Sequence, residues 1–260
     1  MRRWLSFACA GETLAGALDE AGGHSGLLIV SGGNETLSGS HGNMASIAGR
    51  VAAAGHPVFR YDRRGVGDSS GENGGFEAGG DDLSAAILAF RSASPGLGRI
   101  VGFGNCDGAT TLALFHDTAL DALVLANPWV IETVGEMPPA AAIKARYKEK
   151  LRDPGEWLRL LRGGVNIGKL IKGLRSVAAK PAITDAGLPA RVRSALTSLT
   201  VPARVVLARR DATALAFADA WGTCSAECVT LCEIDTNSHS FAKRADADAL
   251  FAELIGALAE

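Results

Sequence analysis

The chain has 260 residues, of which 47% are hydrophobic, and its 26 Lys and Arg against 28 Asp and Glu give a formal net charge of −2. That length and apolar content are enough for a substantial buried core, so a disordered or fibrous protein is excluded. One large α/β domain, with or without an insertion, is expected. The small net charge argues against a protein that binds nucleic acid over its whole surface.

Strands and helices are predicted to alternate along most of the chain. An antiparallel hairpin is expected at one edge, from Trp4–Cys9 and Thr13–Leu18. Apolar runs typical of buried strands follow at Gly26–Gly33, Pro57–Asp62, Arg99–Asn105, Asp121–Asn127, Val201–Ala208 and Glu227–Ile234. Helices are predicted at Met44–Ala54, Asp81–Ser92, Asp107–His116 and Ala245–Ala259. This order implies a mostly parallel sheet with helices on both faces.

The alternation stops between Pro128 and Leu199, where apolar residues recur at helical spacing. We interpret residues 129–199 as a helical cap, inserted between the core segments 1–128 and 200–260. A cap at this place in the chain is expected above the carboxyl ends of the strands, where open α/β sheets bind their ligands.

The charge is uneven, because Ala140–Lys180 holds 11 Lys and Arg against 3 Asp and Glu. This segment therefore carries +8 and the rest of the chain −10. Either it is a solvated polar face, or it attracts an anionic partner such as an acyl-CoA, an acidic glycan or the headgroups of a membrane leaflet.

A cytoplasmic location is expected from three features. The apolar run that follows Arg2 and Arg3 is broken by Gly11 and Glu12, too early for a signal peptide. No later run reaches the roughly 20 apolar residues of a membrane-spanning helix. The 5 cysteines are an odd number, which favours free thiols in a reducing compartment.

The segment GNCDG, residues 104–108, has the spacing of a nucleophile elbow, with Cys106 where serine is usual. Gly104 and Gly108 leave room for the tight turn between a strand and a helix. A cysteine at the start of a helix is favoured as a thiolate, so Cys106 is chemically competent as a nucleophile. The alternative is that Cys106 is a small buried apolar residue.

A thiol nucleophile needs a base and an acid that orients the base, and on this architecture they follow the nucleophile along the chain. Asp211 comes just after the predicted strand 201–208, and His239 follows the strand 227–234. We predict that these two residues complete a triad with Cys106. Asp235 is the weaker candidate for the acid, because it lies close to His239 in the same loop.

The oxyanion formed during acyl transfer needs two backbone amides. One is expected from Asp107, directly after the nucleophile. The other is expected from the loop after the first central strand, with Gly33 as the first choice and Asn34 as the second. His41 either lines the entrance of the site or is an ordinary residue at the start of a helix.

Two further motifs predict structure rather than chemistry. The evenly spaced Cys224, Cys228 and Cys232 have no histidine at zinc-site spacing, so core packing is favoured, with the last two on one face of a strand. The loop YDRRGVGDSSG lacks the lysine of a P-loop, and we expect Asp62 and Arg64 to hold it by a local ion pair. No residue set predicts a metal or an organic cofactor.

The chain resembles the α/β-hydrolase superfamily from end to end. The resemblance lies in FACAGETLAGAL, SGGN, YDRRGVGDS and GNCDG, together with Asp211 and His239, while Ser31 departs from the usual histidine before the oxyanion glycine. The segments GSHGNMASIAGRVAAAGHPVFRYDRRGVGDSSGE, CDGAT and LANPWV are similar to the hydrolases associated with exosortase A systems, type 1. The resemblance implies the α/β-hydrolase fold, with about eight strands and a helical cap.

The resemblance also implies a hydrolase that is encoded near bacterial protein-sorting or exopolysaccharide genes. The leading hypothesis is a cysteine-dependent hydrolase of a small acyl ester or thioester. An acyltransferase with an alcohol acceptor would use the same residues, and a non-catalytic binding module of the same fold is the third alternative.

Overall fold

The computed structural model describes residues 1–116, 119–132 and 187–260. The basic segment Ala140–Lys180 and most of the predicted cap lie outside the described residues. Of the predicted cap, the structure describes residues 129–132 and 187–199.

Eight strands form a single sheet in the order β1-β2-β4-β3-β5-β6-β7-β8. They are β1 (Arg2–Cys9), β2 (Glu12–Asp19), β3 (Ser25–Val30), β4 (Val58–Tyr61), β5 (Arg99–Asn105), β6 (Ala122–Ala126), β7 (Ala203–Ala208) and β8 (Val229–Ile234). The pairs β1–β2 and β2–β4 are antiparallel and all other pairs are parallel. The predicted edge hairpin and mostly parallel sheet are confirmed.

The helices of the described residues cover both faces of this sheet. They are α1 (Asn43–Ala53), α2 (Gly80–Ala93), α3 (Asp107–Leu114), α4 (Leu188–Thr197), α5 (Ala212–Trp221) and α6 (Arg244–Ala259). Helices α1 and α6 bury one face, and α2, α3, α4 and α5 bury the other. Alternate strand residues enter the two layers: Leu28 and Val30 pack on the second group of helices, Leu27 and Ile29 on the first. Burial on both faces explains why the strand sequences are continuously apolar.

The sequence did not predict two of the helices that pack in the core. Helix α5 was not predicted, and α4 was assigned to the cap. In the structure α4 packs against α3 and α5, with Leu188, Val192 and Leu196 buried in the same hydrophobic layer. Its first turn is tied to the chain that follows β6, because the Leu188 amide donates to Glu132 Oε1 at 2.5 Å.

The predicted ion pair between Asp62 and Arg64 is wrong. The Asp62 carboxylate instead accepts from the backbone amides of Leu37 at 2.5 Å and Asp68 at 3.1 Å. Arg64 donates from Nε to Asp82, whose second carboxylate oxygen accepts the Arg64 amide at 3.0 Å. Each charged side chain therefore fixes a different part of the loop.

The expected common face for Cys228 and Cys232 is also wrong. Cys228 precedes β8 and packs, like Cys224, against the layer that contains α5. Cys232 lies within the strand and packs against the opposite layer, with its thiol 3.6 Å from Glu253 Oε2. All three are free thiols.

Asn127, directly after β6, connects four strand ends. Its side chain is fully buried, and its Oδ1 accepts the Ala208 amide at the end of β7 at 2.8 Å. Its Nδ2 donates to the His239 carbonyl, in the loop after β8, at 3.0 Å and to Asn105 Oδ1, at the end of β5, at 3.3 Å. Asn127 has φ 43°, a conformation that Asn tolerates better than most residues. One amide group therefore sets the relative positions of these loops.

Replacing Asn127 by Ala should lower the melting temperature. The Ala208 amide would lose its buried acceptor, and leaving such a group unpaired costs about 1–3 kcal/mol. For a domain of this size each kcal/mol corresponds to about 2–4 °C. Calorimetry of Asn127→Ala should therefore show a drop of several degrees. Asn73→Ala, which removes two exposed hydrogen bonds, one to Asn34 and one from the Gly75 amide, is the control and should shift little. Equal melting temperatures for the two variants would contradict this assignment.

Candidate active site

The turn between β5 and α3 holds Cys106 in a strained conformation. Cys106 has φ 60° and ψ −127° at the start of α3, and its side chain is half-buried. A positive φ at a non-glycine residue persists only where neighbouring structure enforces it. Here the Cys106 amide donates to the Ala126 carbonyl at 3.0 Å, and its carbonyl accepts the Trp129 amide at 3.2 Å. The turn is thus fixed by β6 and the residues after it.

Both elbow glycines are required by close contact. A Cβ at Gly104 would lie 2.5 Å from the carbonyl carbon of Gly108, and a Cβ at Gly108 would collide with the Val30 carbonyl of β3. Strand β3, strand β5 and helix α3 therefore approach each other as closely as backbone allows. This packing directs the Cys106 side chain away from the sheet, at the carboxyl ends of the strands.

The structure brings the three predicted triad residues together. His239 Nδ1 lies 2.9 Å from Asp211 Oδ2, and the Cys106 side chain lies near enough to the ring to raise the pKa of His239. Since Nδ1 is bonded to Asp211, Nε2 is the ring nitrogen left for the sulfur. The order along the chain is nucleophile, acid and base, whereas in space the base lies between the other two, the arrangement that nucleophilic catalysis requires.

Asp211 is fixed by the helix that follows it. It is the N-cap of α5, and its Oδ2 accepts the amides of Thr213 at 3.0 Å and Ala214 at 3.2 Å as well as the His239 ring. Burial raises the pKa of Asp211, but the hydrogen bond and charge of His239 and the two amides outweigh burial, so its pKa is lowered overall. The carboxylate is therefore ionised at neutral pH.

His239 is held in its protonated form. The hydrogen bond to Asp211 and then the Cys106 side chain raise its pKa to about 10, against the opposing effect of burial. At neutral pH the ring is thus an imidazolium between a carboxylate and a sulfur. An imidazolium in this position can donate a proton to a leaving group.

Asp235, the weaker candidate for the acid, contacts a different residue. Its carboxylate lies 3.4 Å from Arg210 Nε, and the side chain is 74% exposed. No hydrogen bond or ion pair joins it to His239 in the described part of the chain. The geometry thus favours Asp211 as the partner of the histidine.

The predicted oxyanion loop lies beside the elbow, but its first-choice amide is engaged. A Cβ at Gly32 would be 3.2 Å from the Cys106 Cβ, which places the loop next to the nucleophile. The Gly33 amide donates to the Asp107 carboxylate, and Arg63 donates to the Gly33 carbonyl. The Asn34 side chain accepts from Asn73 at 2.8 Å. Sequence reasoning missed Arg63, which is 4% exposed.

Other candidate features near the site carry less chemistry. His41 is exposed, with φ 52°, in the single 3₁₀ turn before α1. Among residues 1–116, 119–132 and 187–260, no cluster of three His, Cys, Asp or Glu side chains could hold a metal ion. Within the same ranges, no helix has the length and apolar content needed to cross a bilayer.

Three solved structures show the same fold at low sequence identity. An esterase from Pyrococcus furiosus is 16% identical with a TM-score of 0.67, covering 100% of this chain and 91% of its own. The α/β hydrolase GrgF from Penicillium sp. sh18 is 17% identical with a TM-score of 0.67, covering 99% and 98%. A hydrolase from Pseudomonas aeruginosa is 22% identical with a TM-score of 0.61, covering 99% of both chains. The predicted α/β-hydrolase fold is confirmed.

Sequence comparison gives the family. No curated protein sequence matches the chain significantly. A sequence family, Hydrolase_4, described as serine aminopeptidase, S33, matches residues 24–182, which is more than half of the chain. With its eight-stranded sheet and the tight strand-to-helix turn at Cys106, the chain belongs to the Hydrolase_4 family of α/β-hydrolases.

Proposed function

We propose that the protein hydrolyses acyl esters or thioesters through a covalent acyl-thioester on Cys106. The observation that carries the proposal is the contact series Cys106, His239 and Asp211 at the carboxyl ends of β5, β7 and β8. The name of the matched family specifies serine, so the thiol in this elbow is the feature that distinguishes this chain.

The residues support the following reaction. The Cys106 thiolate attacks the substrate carbonyl carbon, forming a C–S bond and an oxyanion. Collapse of the oxyanion breaks the bond to the leaving group, which takes the proton of the His239 imidazolium. The neutral ring then removes a proton from water, which attacks the thioester and releases the acid. The thiolate and the imidazolium are restored, so charges and protons balance over the cycle.

The thiol supports thioesters and activated esters as the substrate class. Attack of a thiolate on a thioester exchanges one thioester for another. The resemblance of this chain to hydrolases associated with exosortase A systems adds a cellular setting to the proposal, in protein sorting or exopolysaccharide production. An acyl-CoA or an acidic glycan ester would match the basic segment Ala140–Lys180 as an anionic substrate.

Cys106→Ala should abolish turnover and the covalent adduct. Intact-mass spectrometry after mixing wild-type protein with 4-nitrophenyl esters should show one acyl group, mapped to Cys106 by peptide analysis. Cys106→Ser should lose much of the rate, because an alkoxide needs more help from the base than a thiolate does. Cys228→Ala is the matched thiol control and should acylate normally. An adduct that persists in Cys106→Ala would rule out this nucleophile.

Asp211→Asn should lower kcat/KM by up to about 10⁴-fold, the order seen when an orienting acid of a triad is lost. Its matched control is Asp235→Asn, whose side chain contacts Arg210, and that variant should retain most of the activity. Steady-state kinetics with one ester would compare the two. A larger loss for the Asp235 variant would transfer the role of the acid to Asp235.

The pH profile should have an alkaline limb set by His239. Its pKa is raised to about 10, so the ring keeps the proton it must donate below that pH and loses it as the pH rises through about 10. Activity of the wild-type protein should therefore fall on that alkaline side. Asp211→Asn removes the main cause of the raised pKa and should move the limb to lower pH. His239→Ala should acylate only at high pH, where a free thiol ionises unaided. A profile unchanged by both substitutions would contradict the triad.

A further inference from the structure

The Asp107 carboxylate accepts from the backbone amide that the reaction would need as a hydrogen-bond donor. The Gly33 amide, the first-choice donor for the oxyanion, is bonded to Asp107 Oδ1. A Cβ on Gly32 would lie 3.0 Å from the same oxygen, so the carboxylate is packed against the loop beside Cys106. A carboxylate oxygen and a developing oxyanion cannot share one N–H group, because both are anionic acceptors.

A buried guanidinium with unpaired hydrogen-bond donors lies beside this carboxylate. Arg63 is 4% exposed and donates through Nη2 to the Gly33 carbonyl. Its Nε and Nη1 are buried and have no hydrogen-bond partner among the described residues. The carboxylate nearest to Nη1 is that of Asp107, whose Oδ2 lies 3.9 Å away. Buried donors without acceptors are unfavourable, so Nη1 attracts this carboxylate.

We infer that Asp107 and Arg63 form a gate for the oxyanion hole. In the resting protein the Asp107 carboxylate covers the Gly33 amide. When a substrate carbonyl enters, the carboxylate turns onto Arg63 Nη1, and the Gly33 amide becomes free to join the Asp107 amide. A shift of about 1 Å brings Oδ2 from 3.9 Å into charge-assisted hydrogen-bond range. The inference rests on the proposed function, since it assumes acyl transfer to Cys106.

The exchange is balanced in hydrogen bonds. The Gly33 amide replaces one anionic acceptor with another, and Arg63 Nη1 gains the acceptor it lacks. The Arg63–Gly33 carbonyl bond is kept during the exchange. The gate therefore needs only rotation of the Asp107 side chain, without movement of the strained elbow.

A simpler role for Asp107 makes different predictions. An acidic residue in the first turn stabilises a helix through its dipole, and Asp107 stands at that place in α3. A residue with this role alone should reduce stability when replaced, without any effect on the acyl-transfer chemistry that depends on Arg63. The double variant of Asp107 and Arg63 separates the two roles.

The test compares two reactions of the same sulfur. Acylation by a 4-nitrophenyl ester develops an oxyanion, whereas alkylation by iodoacetamide does not. We take the second-order rate constant of acylation divided by that of alkylation. This ratio cancels changes in thiolate reactivity, so it reports the contribution of the oxyanion hole. Asp107→Ala should raise this ratio about ten-fold and Arg63→Met should lower it about ten-fold, a fraction of the 10²–10³ that one oxyanion donor contributes. The double variant should have the same ratio as Asp107→Ala, because it has no Asp107 carboxylate that Arg63 could draw away from the Gly33 amide.

Two further variants guard against a misfolded protein. Asp107→Asn keeps the side-chain volume without the charge, so its ratio should lie between those of wild type and Asp107→Ala. Arg64→Met removes the neighbouring cation, which bonds Asp82 and not Asp107, and should leave the ratio unchanged. Circular dichroism verifies each fold.

The outcomes are distinct. The gate is overturned if Asp107→Ala has a lower ratio than the wild type, or if the ratio of the double variant is as low as that of Arg63→Met. If no protein, wild type included, forms an acyl adduct while all are alkylated at Cys106, the proposed function is wrong and the gate with it. Acyl adducts on every variant with equal ratios leave the function standing and remove the gate.

Discussion

The strained backbone at Cys106 is the constraint on which the site depends. Its positive φ is possible because Gly104 and Gly108 let β3, β5 and α3 meet without side chains between them. The cost of this conformation is met by packing in the two hydrophobic layers on either side of the sheet. The core therefore does more than stabilise the protein, because it fixes one half-buried sulfur atom at the end of a central strand.

The charges around the elbow are organised in two separate pairs. Asp211 and His239 form one pair on the side of β7 and β8, and Asp107 and Arg63 form the other on the side of β3 and β4. In our proposal the first pair supplies and accepts protons, and the second controls access to the amide of Gly33. The reacting carbonyl would lie between them, over a half-buried sulfur.

The sequence was sufficient for most of the fold because the central strands are buried on both faces. Runs such as GLLIV and DALVLAN are continuously apolar, and turn residues mark their ends. The same reasoning failed for α4, whose position inside an irregular region suggested a cap, although Leu188, Val192 and Leu196 belong to the core. Periodicity gives a buried helix face, but it does not say which surface covers that face.

For the candidate site, chain order predicted which residues meet, and side-chain geometry decided the rest. Cys106, Asp211 and His239 follow from strand ends, since parallel strands bring their carboxyl ends to one edge. The bond from Gly33 to Asp107 joins residues 74 positions apart through a rotamer, and no spacing rule predicts it. Asn127 likewise looks like an ordinary turn residue before a proline, and its hydrogen bonds are visible only once the strands are assembled.

The contact between Glu132 and Leu188 has a consequence for how such a chain can diversify. Glu132 and Leu188 are 56 positions apart in the chain, and they are joined by a hydrogen bond. The chain between two such anchor points carries a loop-closure entropy, and doubling its length adds only about 0.6 kcal/mol. An insertion or deletion between residues 132 and 188 therefore changes this closure entropy very little.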